Sequence, residues 1–282
     1  MDLRTFYSPE LSIAITGGTG FIGSAFMRKG VGTSKSESKF YPTPLSELPS
    51  NVHLIHCAAT ISNNRECLIN NTSIDSLVFD TCVSKNISVV YCSTNNVYPL
   101  AENCSPDSKV YGSDYYSVSK ICGEHLFRSL SNINALILRI GDVFGTGQRH
   151  GNLFKAIESS ILSHHPLKLF GKGFKTRSFI HIDELTRLIR FLSNEIASGQ
   201  EIDRLINGSV HEAVSVREIV EYTAGKTNLD VINVAQANDT SEQDVRSMVP
   251  FSHPKYTPKF SSFWDSLDHY INSCLTTREY SK

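Results

Sequence analysis

Leu11-Ser12-Ile13-Ala14-Ile15-Thr16-Gly17-Gly18-Thr19-Gly20-Phe21-Ile22-Gly23 decides the fold of this chain. Residues 11–16 alternate and then run apolar, which predicts a buried strand. Residues 21–29 predict a helix that Gly30-Val31-Gly32 stops. Between the two, Gly17, Gly20 and Gly23 permit a tight bend, close approach of the backbone to a pyrophosphate, and packing of the helix on the strand. Strand, glycine turn and helix in that order predict a dinucleotide site on Gly17, Gly20, Phe21, Ile22 and Gly23.

Working outward, residues 52–57, 87–92 and 135–140 predict further buried strands, with helices at 73–84 and 116–129 between them. Strands alternating with helices imply an α/β fold, a Rossmann-type doubly wound parallel sheet covered on both faces. Beyond Arg139 the pattern predicts a helix at 152–164, a strand at 165–170, a helix at 183–196 and a strand at 204–207. Residues 236–259 read as mostly loop before a last helix at 263–274. The expected organisation is a dinucleotide-binding domain over 1–148, with 176–210 returning to its sheet. Residues 149–175 and 211–282 then form a smaller C-terminal α/β substrate-binding part.

An acidic residue about twenty positions past the first glycine normally holds the adenosine ribose. Glu37 fits, but Lys35, Lys39, Ser34, Ser36 and Ser38 would equally suit a 2′-phosphate, so the cofactor is NAD or NADP. The stretch between Gly23 and His56 is short for two strands and a helix, and the adenine half of the site is expected to be trimmed.

The 27 Lys and Arg against 28 Asp and Glu leave a formal charge of -1, which gives no broad attraction to nucleic acid or membrane. The first ten residues lack an apolar signal core and no apolar stretch would span a bilayer, so a cytoplasmic protein is expected. The 7 cysteines show neither C-x-x-C pairs nor zinc spacing and read as mostly buried thiols, with no metal site. The sequons at Asn71 and Asn103 then read as chance.

Tyr116-Ser117-Val118-Ser119-Lys120 sets a phenol and an ammonium four residues apart, on one helix face. A Lys120 close to Tyr116 would favour its phenolate, lowering a phenol pKa of about 10 toward neutrality. A phenol tuned in this way shuttles a proton, and beside a dinucleotide site that points to hydride chemistry on a hydroxyl.

Thr16-Gly17-Gly18-Thr19-Gly20-Phe21-Ile22-Gly23, His56-Cys57-Ala58-Ala59, Ser93-Thr94-Asn95-Asn96-Val97-Tyr98 and Tyr116-x-x-x-Lys120 together resemble the extended short-chain dehydrogenases, specifically the NAD-dependent epimerase/dehydratase family acting on nucleotide sugars. Asn71, Leu138-Arg139 through Gly145, Gly171-Lys172-Gly173 with Arg177 to Glu184, and Asn207-Gly208-Ser209 extend the likeness in the same order. The resemblance implies Tyr116 as general acid/base. It implies that Lys120 bonds the nicotinamide ribose and that Thr94 hydrogen-bonds the reacting sugar oxygen. Cys57, Ala58 and Ala59 would leave room for the cofactor, with Asn71 holding the geometry of the active-site helix. Arg177, and less closely Arg246, resemble arginines that neutralise the sugar diphosphate. Phe154 and Phe170 could flank the nucleotide base or lie in the core. His56 reads as a packed strand-end residue and Tyr115 as a bystander.

Two departures bear on the reaction. Sugar 4,6-dehydratases of the family carry an Asp-Glu pair after the threonine, where this chain has Asn95 and Asn96, and amides cannot perform that proton transfer. Asp142 stands where a substrate-binding asparagine usually follows Leu-Arg. Dehydration is disfavoured, which leaves 4-epimerisation of a nucleoside-diphosphate sugar or NADPH-dependent reduction of a 4-keto sugar. The other class is a non-catalytic dinucleotide-binding regulatory protein. The resemblance also implies a homodimer formed through helices that include residues 116–129.

Overall fold

The computed structural model describes residues 5–28, 39–130, 133–148, 151–200, 202–236 and 239–280. Glu37, Lys35, Ser34, Ser36 and Ser38, on which the choice between NAD and NADP turned, lie outside the described residues, as does the helix stop at Gly30-Val31-Gly32. In chain order the elements begin with β1 (Thr5–Ser8), β2 (Ile13–Thr16), α1 (Phe21–Arg28), β3 (Tyr41–Pro42), β4 (His53–His56), α2 (Arg65–Lys85), β5 (Ser88–Thr94) and α3 (Tyr115–Arg128). They continue with β6 (Ala135–Ile140), β7 (Asp142–Phe144), α4 (Leu153–Ser163), β8 (Leu167–Phe170), β9 (Thr176–Arg177), β10 (Phe179–His181) and α5 (Ile182–Ala197). The last are β11 (Leu205–Gly208), β12 (Val214–Ser215), α6 (Val216–Thr227), β13 (Val231–Val234), β14 (Val245–Arg246) and α7 (Phe263–Tyr280).

The chain divides into two compact units. One holds the residues up to Pro99 with Ser108–Ile140 and Thr186–Gly208; the other holds Leu100–Asp107, Gly141–Leu185 and the residues from Ser209 on. The chain leaves the first unit at Ile140, short of the boundary expected at 148, because β7 pairs with β10 in a separate two-stranded sheet and does not extend the large one.

The first unit is built on a seven-stranded sheet of order β11-β6-β5-β4-β2-β1-β3. Strands β2, β4, β5, β6 and β11 are parallel. Their near-continuous apolar sequences suit strands covered on both faces, and β2, β4 and β6 are buried at every position. Their core gathers Leu54, Val78, Cys82, Val89, Phe127 and Ile137, with the rings of Tyr91 and Phe127 stacked at 4.7 Å. The α2 helix begins where Asn64 accepts the amide of Cys67, and ends where Asn86 adopts the left-handed conformation. A capping box between Asp114 and Ser117 starts α3.

The far edge of this sheet departs from an all-parallel arrangement. In a Rossmann sheet the strand that follows the first helix lies parallel beside the first strand. Here that place is taken by β1, which precedes the glycine turn and runs antiparallel to β2 with Thr5 opposite Thr16; β3 runs antiparallel to β1 in turn. Among the described residues between α1 and β4, the two-residue β3 is the sole strand.

The second unit contains the pairs β10-β7 and β13-β8, the sheet β12-β9-β14, and helices α4, α6 and α7. Its core is aromatic. Phe144 stacks on Phe154 at 4.2 Å, and Phe179, Phe263 and Tyr270 close around them. Phe154 is thus a core residue, whereas Phe170 is exposed.

Candidate functional site

The glycine turn lies against the end of β4. Gly17 has φ +70°, and a Cβ there would come within 2.8 Å of the backbone of Ala58. This brings two segments distant in sequence, Gly17 to Gly23 and Cys57 to Ala59, into one cradle. The amide of Gly20 closes the turn on the carbonyl of Gly17 at 2.8 Å. Phe21 and Ile22 open α1, whose first amides are free of helical partners and suit a phosphate. Backbone without side chains beside a helix start is what a dinucleotide pyrophosphate requires, so the residues present fit that group.

At the carboxyl end of β5 stands Thr94, 8% exposed, whose hydroxyl also caps the short turn that follows by accepting the amide of Asn96 at 3.2 Å. Tyr116 and Lys120 rise from the first turns of α3. Burial pushes the Tyr116 phenol well above its ordinary value, aided by the thiols of Cys67 and Cys92, while a hydrogen bond with Thr94 acts against the shift. Thr94 and Tyr116 are therefore brought together. Lys120, 2% exposed, directs its ammonium elsewhere: Nζ donates to the carbonyl of Cys92 at 2.9 Å and lies 4.6 Å from the centre of the Tyr91 ring. The expected lowering of the Tyr116 phenol toward neutrality is absent, because burial outweighs the neighbouring hydrogen bond.

Asn71 joins α2 to this helix. Its amide nitrogen donates to Ser119 Oγ at 2.9 Å and its amide oxygen accepts the backbone N–H of Thr60 at 2.8 Å. Asn71 is buried, so its sequon cannot carry a glycan in the fold. Beneath α3, Glu124 receives Arg139 through Nη2 at 2.6 Å and Ser93 Oγ at 2.6 Å, and Arg139 also donates to the hydroxyl of Tyr98 at 3.0 Å. Tyr115 is exposed, and its amide bonds Asn63. Asn95 is buried behind Thr94, and Asn96 is half-buried.

A buried polar chain passes under the glycine turn. Thr16 Oγ1 lies 2.6 Å from Nδ1 of His56, and His56 Nε2 lies 2.9 Å from Oδ1 of Asp75. The hydroxyl of Tyr91 donates to Asp75 Oδ2 at 2.8 Å. The sequence reading missed Asp75 and Tyr91. Asp75 follows Asn71 by one helical turn and lies between the buried Ile74 and Val78, so an acid on the apolar stripe of α2 was the available signal.

Within the second unit, Arg177 and Arg246 are register partners on the parallel strands β9 and β14. Arg177 is 6% exposed, and its guanidinium is engaged by the Asp244 carboxylate and by the carbonyls of Thr176 and Asp244. Asp142 opens β7, its amide bonded to the carbonyl of Ser178 at 2.9 Å. Among the described residues no group of three His, Cys, Asp or Glu side chains could hold a metal ion, and no helix is long and apolar enough to cross a membrane.

Comparison with known proteins places these features. The model of the NAD-dependent epimerase/dehydratase family matches residues 51–207, beginning after the glycine turn and the antiparallel edge. An uncharacterized UDP-glucose epimerase of Bacillus subtilis is 26% identical over 148 residues, 51% of this chain and 46% of that protein. The chain thus matches about half the length of that relative. A dTDP-4-dehydro-6-deoxy-D-allose reductase of Streptomyces bikiniensis is 23% identical over 229 residues, 62% of this chain and 70% of that protein. The structure of UDP-glucuronic acid 4-epimerase from Bacillus cereus, in complex with UDP-glucuronic acid and NAD, superposes with a TM-score of 0.74 at 20% identity, covering 96% of this chain and 99% of that one.

Proposed function

The chain belongs to the NAD-dependent epimerase/dehydratase family, and from that premise we propose that it is an NAD-dependent nucleotide-sugar epimerase that removes and returns hydride at the sugar C4, with Tyr116 as acid/base. The observation that carries this reading is the nearness of Thr94, at the carboxyl end of β5, to Tyr116, in the first turn of α3: its hydroxyl is close enough to act against the rise of the phenol. Bound NAD would supply the hydride acceptor and donor. Gly17, Gly20, Gly23 and the first amides of α1 hold its pyrophosphate, and Cys57, Ala58 and Ala59 line its path. In its ionised form Tyr116 takes the proton from the sugar hydroxyl at its phenolic oxygen and returns it, the ionisation drawing on the positive charge of Lys120 and of oxidised NAD when it is bound, and Thr94 orients that oxygen. Lys120, anchored to the Cys92 carbonyl, bonds the nicotinamide ribose. Asn95 and Asn96 contribute amides in place of an acid pair, so the reaction stops short of dehydration. In the smaller, substrate-binding part, Arg246 would serve the sugar diphosphate and Asp142 a sugar hydroxyl, while Arg177 would have to exchange its bond to Asp244 to reach a phosphate.

The second reading is reduction of a 4-keto sugar with NADPH. Its support is the protonated state in which burial holds Tyr116, ready to give a proton to a keto oxygen, together with the likeness to a sugar-nucleotide reductase. We assign the activity to a reducing compartment such as the cytosol, since all the cysteines are free thiols. A homodimer would form through α2 and α3, which expose Ile69, Leu77 and Tyr115.

The test is to record the absorbance of the protein as purified and to screen UDP- and dTDP-hexoses with and without added NADPH. Retained NAD and turnover without added cofactor support the epimerase. Stoichiometric consumption of NADPH with a 4-keto sugar would replace it with the reductase.

A further inference from the structure

Thr16, His56 and Tyr91 are register partners on the neighbouring parallel strands β2, β4 and β5, so their side chains stand in one row on one face of the sheet. Asp75 meets that row from α2, and its two carboxylate oxygens engage His56 Nε2 at 2.9 Å and the Tyr91 hydroxyl at 2.8 Å. All four residues are 1% exposed or less. The α3 helix closes the site: a Cβ on Gly123 would come within 2.0 Å of the Tyr91 hydroxyl and 2.4 Å of Asp75 Oδ2. The His56 ring packs against those of Tyr91 and Phe127, with centres at 5.6 and 5.9 Å.

An ionised carboxylate only accepts, and that fixes the direction of every bond in the row. Burial pushes the Asp75 carboxyl up, but the bond from His56 foremost outweighs it and holds the group below the usual carboxylate range. Burial holds His56 below its ordinary value in turn. The ring is therefore neutral, with its proton on Nε2 facing Asp75. Nδ1 is left as an acceptor, and its partner, Thr16 Oγ1 at 2.6 Å, donates to it. With its hydrogen committed there, the Thr16 oxygen accepts the backbone N–H of Ala58 at 3.2 Å. The opposite ring form would turn a nitrogen lone pair on the carboxylate and take this acceptor away from the Thr16 hydrogen.

Ala58 is where the row meets the cradle. A Cβ on Gly17 would come within 2.8 Å of its backbone, so the amide that Thr16 holds sets the spacing between the glycine turn and the end of β4. We propose that Asp75 is a positioning residue for the dinucleotide cradle: it selects the Nε2–H form of His56, which turns the Thr16 hydroxyl so that its oxygen holds Ala58 against Gly17. The carboxylate acts through two side chains and not by touching the cofactor. The inference rests on the reading of Gly17 to Gly23 and Cys57 to Ala59 as the cofactor cradle, and it deepens that reading by naming what sets the cradle's width.

The first measurement is the nitrogen NMR spectrum of the full chain with labelled histidine and no cofactor, His56 being identified by its loss in His56→Gln. A neutral ring protonated at Nε2 is expected near neutral pH; a ring protonated at Nδ1, or at both nitrogens, overturns the proposal. The second is NAD binding by calorimetry. Asp75→Leu removes the acceptor and is expected to weaken NAD about tenfold, while Asp75→Asn, whose amide oxygen still accepts from Nε2, is expected to stay within about threefold of the wild type. Thr16→Val, which removes only the hydroxyl, is expected to weaken NAD as much as Asp75→Leu. Combining the two is expected to weaken it no further, because both act at one bond. Fully additive losses overturn the proposal. So does an Asp75→Leu protein that has a lower unfolding midpoint but binds NAD as the wild type does, the result of a merely structural role. Should Asp75→Leu fail to fold, the wild-type ring form and Thr16→Val decide, and unchanged NAD affinity in Thr16→Val overturns the proposal. A wild type that binds neither NAD nor NADP defeats the cofactor reading first, whereas wild-type binding that Asp75→Leu leaves intact defeats the proposal alone.

Discussion

The side-chain amide of Asn71 donates a 2.9 Å hydrogen bond to the hydroxyl of Ser119, tying α2 to the helix that carries Tyr116 and Lys120. The same side chain brackets the backbone of Thr60 at both its N–H and its carbonyl. Asn71→Ala leaves the Thr60 N–H without its partner and removes the bond that Ser119 Oγ accepts, at a cost of about 1–3 kcal/mol. Denaturant unfolding with an unchanged slope and a lower midpoint is the expected result.

The pair of Glu124 and Arg139, with side chains 4% and 2% exposed, supports α3 from below. Glu124→Gln strands a buried guanidinium and is expected to cost about 3–5 kcal/mol of stability. A loss no larger than that of an exposed ion pair, measured by the same unfolding, would show that water reaches Arg139.

Gly23 sits where a Cβ would come within 2.4 Å of the Gly17 carbonyl. Gly23→Ala therefore opens the turn that cradles the pyrophosphate. Binding of NAD, measured by calorimetry, is expected to weaken more than about tenfold, which corresponds to roughly 1.4 kcal/mol of distortion.

Burial lowers the pKa of His53 from 6.5 to about 4. Between these values the unfolded chain binds a proton that the fold does not, so stability falls as pH drops from neutrality toward 4. The full loss is about 3 kcal/mol, reached near the lower value. His56, also held neutral by burial, adds in the same sense. His53→Asn removes one titration, and the acid limb of stability against pH is expected to flatten.

The parts that were legible in the sequence are local. The glycine turn, Thr94 and the Tyr116 to Lys120 pair each announce themselves within a few residues, and the parallel strands read as apolar runs. β1 did not: Thr5–Ser8 is four residues long with polar neighbours, and what makes it a strand is pairing with β2, a partner that its own pattern does not name. Helix α2 begins eight residues before the expected 73, at a cap on Asn64 that the pattern of apolar residues does not mark. α6 was missed although its capping box, Ser215 with Glu218, is written in the sequence. The partners of Asp75 were hidden for a third reason. They come from β4 and β5, through His56 and Tyr91, and no single segment contains that relationship.

The central claim is that Tyr116 moves the proton while hydride passes between NAD and a nucleotide sugar. Its most direct measurement compares wild type with Tyr116→Phe, each with NAD and the panel of UDP- and dTDP-hexoses, following product sugar and the near-ultraviolet band of the reduced nicotinamide. The account predicts equal NAD binding and a rate about 10²–10⁴-fold lower in the variant. Turnover that survives Tyr116→Phe undiminished would contradict it.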